Sequence, residues 1–316
     1  MPGRRRPKLA VIGAGAVGSS VAYAALIQGV ARHVVLHDVN AAKVRAEALD
    51  MAHGSQFFPQ ATVEGSDDVD VTAGSDIVVI TAGAKQKPGE TRIDLAASTV
   101  NLMKKVIPPL VERSPKATFM LVTNPVDVVT YASLKISGLP RKQLFGSGTV
   151  LDTSRLRYLV AQHCGVAVRN VHAYICGEHG DSQIPIWSSA TIGGVPLMQW
   201  EQQMGRLGES ERDDIADQVV NAAYEVIAGK GATNLAIGLA ATEIIRAVLR
   251  DEHRVLPIST LLDDWHGISD VCLSVPTVVD HRGAGPVLAL PMTDGELGAM
   301  HDSAQVIRST LMGLGF

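Results

Sequence analysis

Aromatic side chains are scarce in this chain: phenylalanine, tryptophan and tyrosine make up 4% of its 316 residues. The interior must therefore be built from the valine, isoleucine, leucine and alanine that dominate its 46% hydrophobic content. Cysteine is scarce too. Cys164, Cys176 and Cys272 are too few and too scattered for a disulfide framework or a zinc site, so buried thiols in a reducing compartment are expected. Positive charge is not in excess: Lys and Arg number 28 against 32 Asp and Glu, a net charge of −4. That balance excludes the basic footprint of a nucleic-acid partner. Internal repeats and low-complexity segments are absent. Apart from one stretch near the N-terminus, no segment is long and uncharged enough to suggest a membrane span. A chain of this length suits two domains sharing one compact body.

The one long uncharged stretch runs from Leu9 to Ala31, after the basic Arg4-Arg5-Arg6-Pro7-Lys8, and contains Ala22-Tyr23-Ala24. A basic start, an apolar core and an A-x-A site are the outline of an export signal. Gly13, Gly15 and Gly18 argue otherwise, since they interrupt the apolar core at the spacing of a G-x-G-x-x-G turn. Cleavage after Ala24 would also discard the strand that leads into that turn. The expected location is the cytoplasm, with the basic tail a solvated arm.

Around the glycines the context is that of a dinucleotide site. Leu9-Ala10-Val11-Ile12 forms a strand, Ser19–Gln28 a helix, and Val34-Val35-Leu36 a second strand ending at Asp38. The glycines allow a tight turn, a close backbone approach to a pyrophosphate, and close helix–strand packing. Asp38 follows Gly18 by 20 residues, where a ribose-binding carboxylate belongs. An acid there favours NAD, because it would repel the extra phosphate of NADP.

The alternation continues through a helix at Ala41–Met51 and a strand at Asp76–Thr81. A helix at Leu95–Glu112 should bend or break at Pro108-Pro109, before a strand at Thr118–Thr123 and a helix at Val126–Ile136. Such a pattern predicts an α/β fold with a doubly wound parallel sheet over residues 1–146. From there the character changes. Helices are expected at Thr153–His163, Glu209–Ile227 and Thr233–Arg250, and a strand at Val171–Ile175. Val255–Ser259, Asp270–Val275 and Gly283–Leu290 read as strands of an antiparallel sheet. Residues 147–316 therefore read as an α+β substrate domain.

The second half carries the chemistry. His179 lies in Gly177-Glu178-His179-Gly180-Asp181, and Asp152 and Arg155 lie in Leu151-Asp152-Thr153-Ser154-Arg155. A histidine held by a carboxylate exchanges a proton near neutral pH. An arginine one helical turn beyond that carboxylate clamps a substrate acid with two parallel hydrogen bonds. Each feature alone is ordinary: a histidine among glycines suits a loop, and Asp-x-x-Arg suits a surface ion pair. Beside a dinucleotide they equip a protein to oxidise a 2-hydroxy acid.

Five motifs in order resemble the lactate branch of the lactate/malate dehydrogenase family over nearly the whole chain. They are GAGAVG at 13–18, KQKPGETR at 85–92, VTNPVD at 122–127, GTVLDTSRLR at 148–157 and GEHGD at 177–181. The resemblance implies a Rossmann domain, a catalytic domain, NAD as cofactor and a homotetramer. It assigns His179 as proton donor and acceptor, Asp152 as its orienting partner, Arg155 as the substrate-carboxylate clamp and Asn124 as a contact to nicotinamide and substrate. Val17, Lys43, Thr81, Gly83 and Ala84 join Gly13, Gly15, Gly18, Asp38 and Asn124 as expected cofactor contacts.

Residues 84–92 would be an active-site lid hinged at Gly83 and Gly89, from which Arg92 polarises the substrate carbonyl. Gln86 matches the position that discriminates substrates, where malate enzymes have arginine, and Thr233 matches a residue lining the substrate pocket. A neutral Gln86 leaves the second carboxylate of oxaloacetate uncompensated, which selects for pyruvate and L-lactate. Arg157 and His172 resemble the pair that binds fructose 1,6-bisphosphate in activated bacterial relatives. Arg157 lies about 200° around the helix from Arg155, facing away from the substrate. The alternatives are a dehydrogenase for malate or another 2-hydroxy acid, and a non-catalytic NAD-binding protein. The joint presence of Arg92, Asp152, Arg155 and His179 speaks against the last.

Overall fold

A computed structural model describes residues 7–84 and 91–316, the side chain of Arg92 excepted. The first half runs β1 (Lys8–Ile12), α1 (Ala16–Ile27), β2 (His33–His37), α2 (Ala41–His53), β3 (Thr62–Ser66) and β4 (Ile77–Ile80). It continues with α3 (Arg92–Arg113), β5 (Thr118–Leu121), α4 (Val126–Ser137) and β6 (Leu144–Gly146). After α5 (Val150–Cys164) come five two-residue strands: β7 (Val171–His172), β8 (Ile175–Cys176), β9 (Ile184–Pro185), β10 (Thr191–Ile192) and β11 (Val195–Pro196). Then follow α6 (Leu197–Met204), α7 (Glu209–Lys230), α8 (Leu235–Arg250), β12 (Arg254–Leu261), β13 (Cys272–Asp280), β14 (Gly283–Val287) and α9 (Asp294–Gly313).

The strands β3-β2-β1-β4-β5-β6 lie parallel, as the alternating pattern predicts. The apolar runs of β1, β2, β4 and β5 are continuous because both faces are covered, whereas the edge strand β3 is polar and partly exposed. Ala10, Ile12, Val78 and Ile80 join one core with residues of α3, α4 and α9, while Leu9, Val11, Ile77 and Val79 join another with residues of α1 and α8. Chain order reverses between β1 and β4, which opens a crevice at their carboxyl ends.

Several expectations need correction. The late antiparallel strands do not form a separate sheet: β12, β13 and β14 extend the parallel sheet beyond β6, giving nine strands among the described residues. The β6–β12 junction is narrow, with Ser259 facing Gly146. The expected strand at 171–175 is divided, because β7 pairs with β10 whereas β8 pairs with β9. Helix α3 continues through Pro108 and Pro109, so of the expected bend or break the break does not occur. Met103, Ile107 and Leu110 are buried in the sheet-facing core on both sides of the prolines, and that packing outweighs the lost backbone hydrogen bonds. Helix α8 begins at Leu235, which leaves Thr233 in the preceding loop. No described helix is long and apolar enough to cross a membrane.

Gly148 sits just past the junction with a φ of +57°, and a Cβ there would lie 2.5 Å from the Ser259 nitrogen and 2.6 Å from the Pro257 oxygen. Both the left-handed backbone and the contact with main-chain atoms resist substitution. Gly148→Ala should therefore lower unfolding free energy by about 2–4 kcal/mol. A urea midpoint matching the wild type would show that the junction relaxes freely.

Candidate active site

The crevice holds a cavity of about 760 Å³ lined by the glycine turn, Asp38, Lys43, Thr81 and Gly83. Strand β1 ends at Ile12, and Gly13 takes a φ of +101° to turn the chain into α1. A Cβ on Gly18 would lie 1.9 Å from the Gly13 oxygen, so only glycine lets helix and turn pack this closely. Gly15, by contrast, faces open space: a Cβ there meets nothing within 4 Å and would project where a ligand must approach the backbone. Thr81 braces the turn, its hydroxyl donating to the oxygens of Ile12 at 3.0 Å and Gly13 at 3.1 Å. Asp38 accepts from the Ala14 N–H at 2.8 Å and the Asn40 N–H at 2.9 Å, which fixes its carboxylate beside the turn.

These features fit NAD. The free N–H groups of the first turn of α1 suit a pyrophosphate, and the anchored Asp38 suits ribose hydroxyls. Val17 and Lys43 also line the cavity. Gly83, Ala84 and Asn124 follow the carboxyl ends of β4 and β5. Asn124 is exposed and joined to Pro125 by a cis bond. Gln86 and the side chain of Arg92 lie outside the described residues, as does Gly89.

Asp152 and His179 meet as the sequence predicts. The imidazole Nδ1 lies 2.6 Å from Asp152 Oδ2, with the histidine side chain 25% exposed and the aspartate 2%. Their elements are held together by two threonines of the α5 region. Thr149 donates to the Ile175 oxygen at 2.6 Å, and Thr153 accepts from the Ile175 N–H at 2.9 Å, so β8 is clasped against the helix that carries Asp152. Beyond β8, Gly177 exchanges two backbone hydrogen bonds with Ser274 of β13. Ser303 of α9 accepts from the Glu178 N–H at 2.8 Å.

Burial works against a charged imidazole at His179, but the charge and hydrogen bond of Asp152 outweigh it, helped by the charge of Asp127 and opposed by that of Arg155. The net effect raises the His179 pKa above its usual value. Burial likewise works against the Asp152 carboxylate, and the charges of His179 and Arg155 reverse this to lower its pKa. Arg155 Nη1 donates to Asp152 Oδ1 at 2.6 Å. The Asp-x-x-Arg pair is thus an ion pair, but a largely buried one attached to a histidine, with four further guanidinium N–H donors for a substrate carboxylate.

Three residues of this region have no role that the sequence suggests. Asp127 accepts from the His179 N–H at 2.7 Å and from the Ser259 hydroxyl at 2.6 Å. Ser303 holds the neighbouring residue. Asp127 closes the VTNPVD motif and stands as an acid inside the apolar run Val126-Asp127-Val128-Val129, but neither signal names its partners; Ser259 and Ser303 have no signal at all. Thr233 lies in the loop before α8, next to Asn234, whose amide donates to Ser20 of α1 at 2.9 Å.

Arg157 and His172 line a different cavity of about 380 Å³, together with Arg169 and Arg254. The Arg157 Nε donates to the Ala173 oxygen at 2.9 Å, and its guanidinium lies 5.1 Å from the Tyr174 ring centre. Glu243 on α8 bonds Arg254 at the same cavity.

Known proteins share this chain's sequence and fold. Residues 7–146 match the lactate/malate dehydrogenase NAD binding domain, and residues 149–313 match the lactate/malate dehydrogenase alpha/beta C-terminal domain. An L-lactate dehydrogenase of Bifidobacterium animalis subsp. lactis is 53% identical over 98% of this chain and 97% of its own. One from Synechococcus is 47% identical over 96% of this chain and 98% of its own. Among solved structures, a minor L-lactate dehydrogenase from Enterococcus mundtii, in ligand-bound form, superposes with a TM-score of 0.95 at 38% identity, covering 98% of each chain. Identity of this extent across both halves leaves one assignment: the chain belongs to the lactate/malate dehydrogenase family.

Proposed function

We propose that the chain interconverts L-lactate and pyruvate, with NAD as cofactor and His179 as the proton donor and acceptor. The observation that carries this reading is the 2.6 Å contact of His179 with buried Asp152, beside an arginine with donors to spare. NAD, when bound, supplies the hydride chemistry. In the oxidative direction neutral His179 takes the hydroxyl proton, and in reduction its imidazolium returns a proton to the carbonyl oxygen. Asp152 fixes the tautomer by accepting from Nδ1, which leaves Nε2 for the substrate, and stabilises the charged ring. Arg155 orients the substrate carboxylate as a two-pronged donor, which lysine's point charge would do less well. Asn124 closes the site at the carboxyl edge of the sheet, Arg92 polarises the carbonyl from the lid, and Gln86 and Thr233 line the pocket for the substrate's tail.

In this reading the chain divides into a cofactor domain ending at residue 146 and a substrate domain from 147, and it works in the cytoplasm as a homotetramer. Exposed apolar side chains on α1, α2 and α8, among them Tyr23, Ile27, Leu49, Leu235 and Leu239, favour association. The cationic cavity around Arg157 and His172 suits fructose 1,6-bisphosphate as an effector, bound differently in two quaternary states.

Three measurements test these assignments. His179→Asn should lower turnover about 100- to 10,000-fold while NADH still binds. In the wild type, pyruvate reduction needs the imidazolium, so it should weaken as pH rises through the raised His179 pKa, and lactate oxidation should strengthen over the same interval. Near-normal turnover in the variant would move the proton transfer to another group.

Initial rates with NADH should favour pyruvate over oxaloacetate, and Gln86→Arg should shift that preference toward oxaloacetate by about tenfold or more. Faster reduction of oxaloacetate by the wild type would make it a malate enzyme. No reduction of either substrate would favour a non-catalytic protein.

Fructose 1,6-bisphosphate should lower the apparent KM for pyruvate, most strongly at low enzyme concentration, and Arg157→Gln or His172→Gln should blunt the effect. Coincident saturation curves with and without it, across enzyme concentration and pH, would leave both residues as ordinary interface groups.

A further inference from the structure

Asp127 is a buried acid that the mechanism above leaves unused. It stands in the first turn of α4, three residues after Asn124, and is 1% exposed. Its two oxygens face two separate parts of the fold: Oδ2 accepts from the His179 main-chain N–H at 2.7 Å, and Oδ1 accepts from the Ser259 hydroxyl of β12 at 2.6 Å. No lysine or arginine among the described residues pairs with it. An asparagine could accept from the His179 N–H through its oxygen and turn its NH2 toward the Ser259 oxygen, meeting both groups without the penalty of burying a charge. The penalty is visible: burial pushes the Asp127 pKa up to about 6, despite the Ser259 and His179 hydrogen bonds and the His179 charge. A carboxylate kept at such a cost beside a proton-transfer group points to a use for its charge.

We infer that Asp127 is a positioning residue for the proton transfer, holding the main chain at His179 and supplying a second negative charge that, with Asp152, keeps the imidazole protonated. His179 then lies between two acids, one on its ring and one on its backbone. The charges facing it come from several elements. Asp152 and Arg155 belong to α5 and Asp127 to α4, while the Glu178 charge acts on Asp127 and the Cys272 thiol of β13, near Asp127, stays neutral through burial. Arg155 lowers the His179 pKa and Asp127 raises it, so Asp127 counters an arginine that has to stand close by to bind the substrate. The same residue stands three positions after Asn124, which follows the carboxyl end of β5, so one short stretch of chain joins the two.

The inference rests on His179 being the group that transfers the proton, and the test separates the two ideas. Single-turnover NADH oxidation with pyruvate is followed across pH for the wild type, Asp127→Asn and Ser259→Ala, with NADH binding measured for each. Asp127→Asn keeps an acceptor for the His179 N–H but removes the charge. The midpoint at which pyruvate reduction declines should fall by about one pH unit. The loss of rate should be smallest at low pH and widen to about tenfold above the midpoint. Ser259→Ala takes a donor from Asp127, so the acid becomes neutral at higher pH, and the midpoint should move in the same direction by less. An Asp127→Asn enzyme that binds NADH and loses rate equally at every pH overturns the inference. Should that variant fail to bind NADH, an unshifted midpoint in Ser259→Ala overturns it instead. Full turnover by His179→Asn would remove the underlying assignment, an outcome distinct from either.

Discussion

A protonated imidazole shielded from water is unstable unless negative charge stands against it, and this constraint organises the second half of the molecule. Burial disfavours the charged ring of His179, and Asp152 reverses the balance from 2.6 Å away. Asp152 in turn remains ionised in the interior only because His179 and Arg155 are there. No member of the set is comfortable alone. Removing one leaves the others as uncompensated buried charges, which is far more costly than the net worth of the contacts themselves.

Such a set works only if the elements carrying it cannot drift. The chain meets that demand mainly with hydroxyl and backbone hydrogen bonds. Thr149 and Thr153 grip both polar groups of Ile175, Gly177 pairs with Ser274, Ser303 holds the Glu178 N–H, and Asp127 holds the next one. Helices α4, α5 and α9 and strand β13 therefore converge on the short run from Ile175 to His179. The crossing of β6 and β12 at Gly146 and Ser259 links this region to the parallel sheet, and Ser259 also bonds Asp127. The cofactor crevice and the histidine are thus parts of one hydrogen-bonded frame, although they lie in different halves of the sequence.

Much of the crevice is legible in the sequence because its signals are local. A strand, three glycines and a helix follow one another without interruption, and the glycine spacing alone marks the turn that Gly13 and Gly18 make. Asp38 follows at the end of the next strand, and its carboxylate indeed reaches back to the turn. The union of Asp152 with His179 spans 27 residues and is legible only through motif chemistry. Ser259 and Ser303 leave no trace, since a buried serine that positions a loop looks the same in sequence as one that does not. Asp127 is visible as an acid in an apolar run, but its partners lie 52 and 132 residues away.

The sequence by itself determined the elements whose burial pattern repeats over neighbouring residues: four of the six parallel strands, the glycine turn, and seven helices to within a few residues of their ends, but not β3, β6, α6 or α9. Tertiary structure decided everything that depends on which surfaces meet. It carried α3 through two prolines because the apolar residues on either side are buried against the sheet. It split the strand expected at 171–175 because each piece found a different partner. It also joined the antiparallel strands to the parallel sheet rather than closing them into their own, and thereby placed Ser259 against Asp127. Local patterning specifies which face of an element is apolar, but pairing and charge compensation are properties of contacts between distant segments, and no short window of sequence contains both partners.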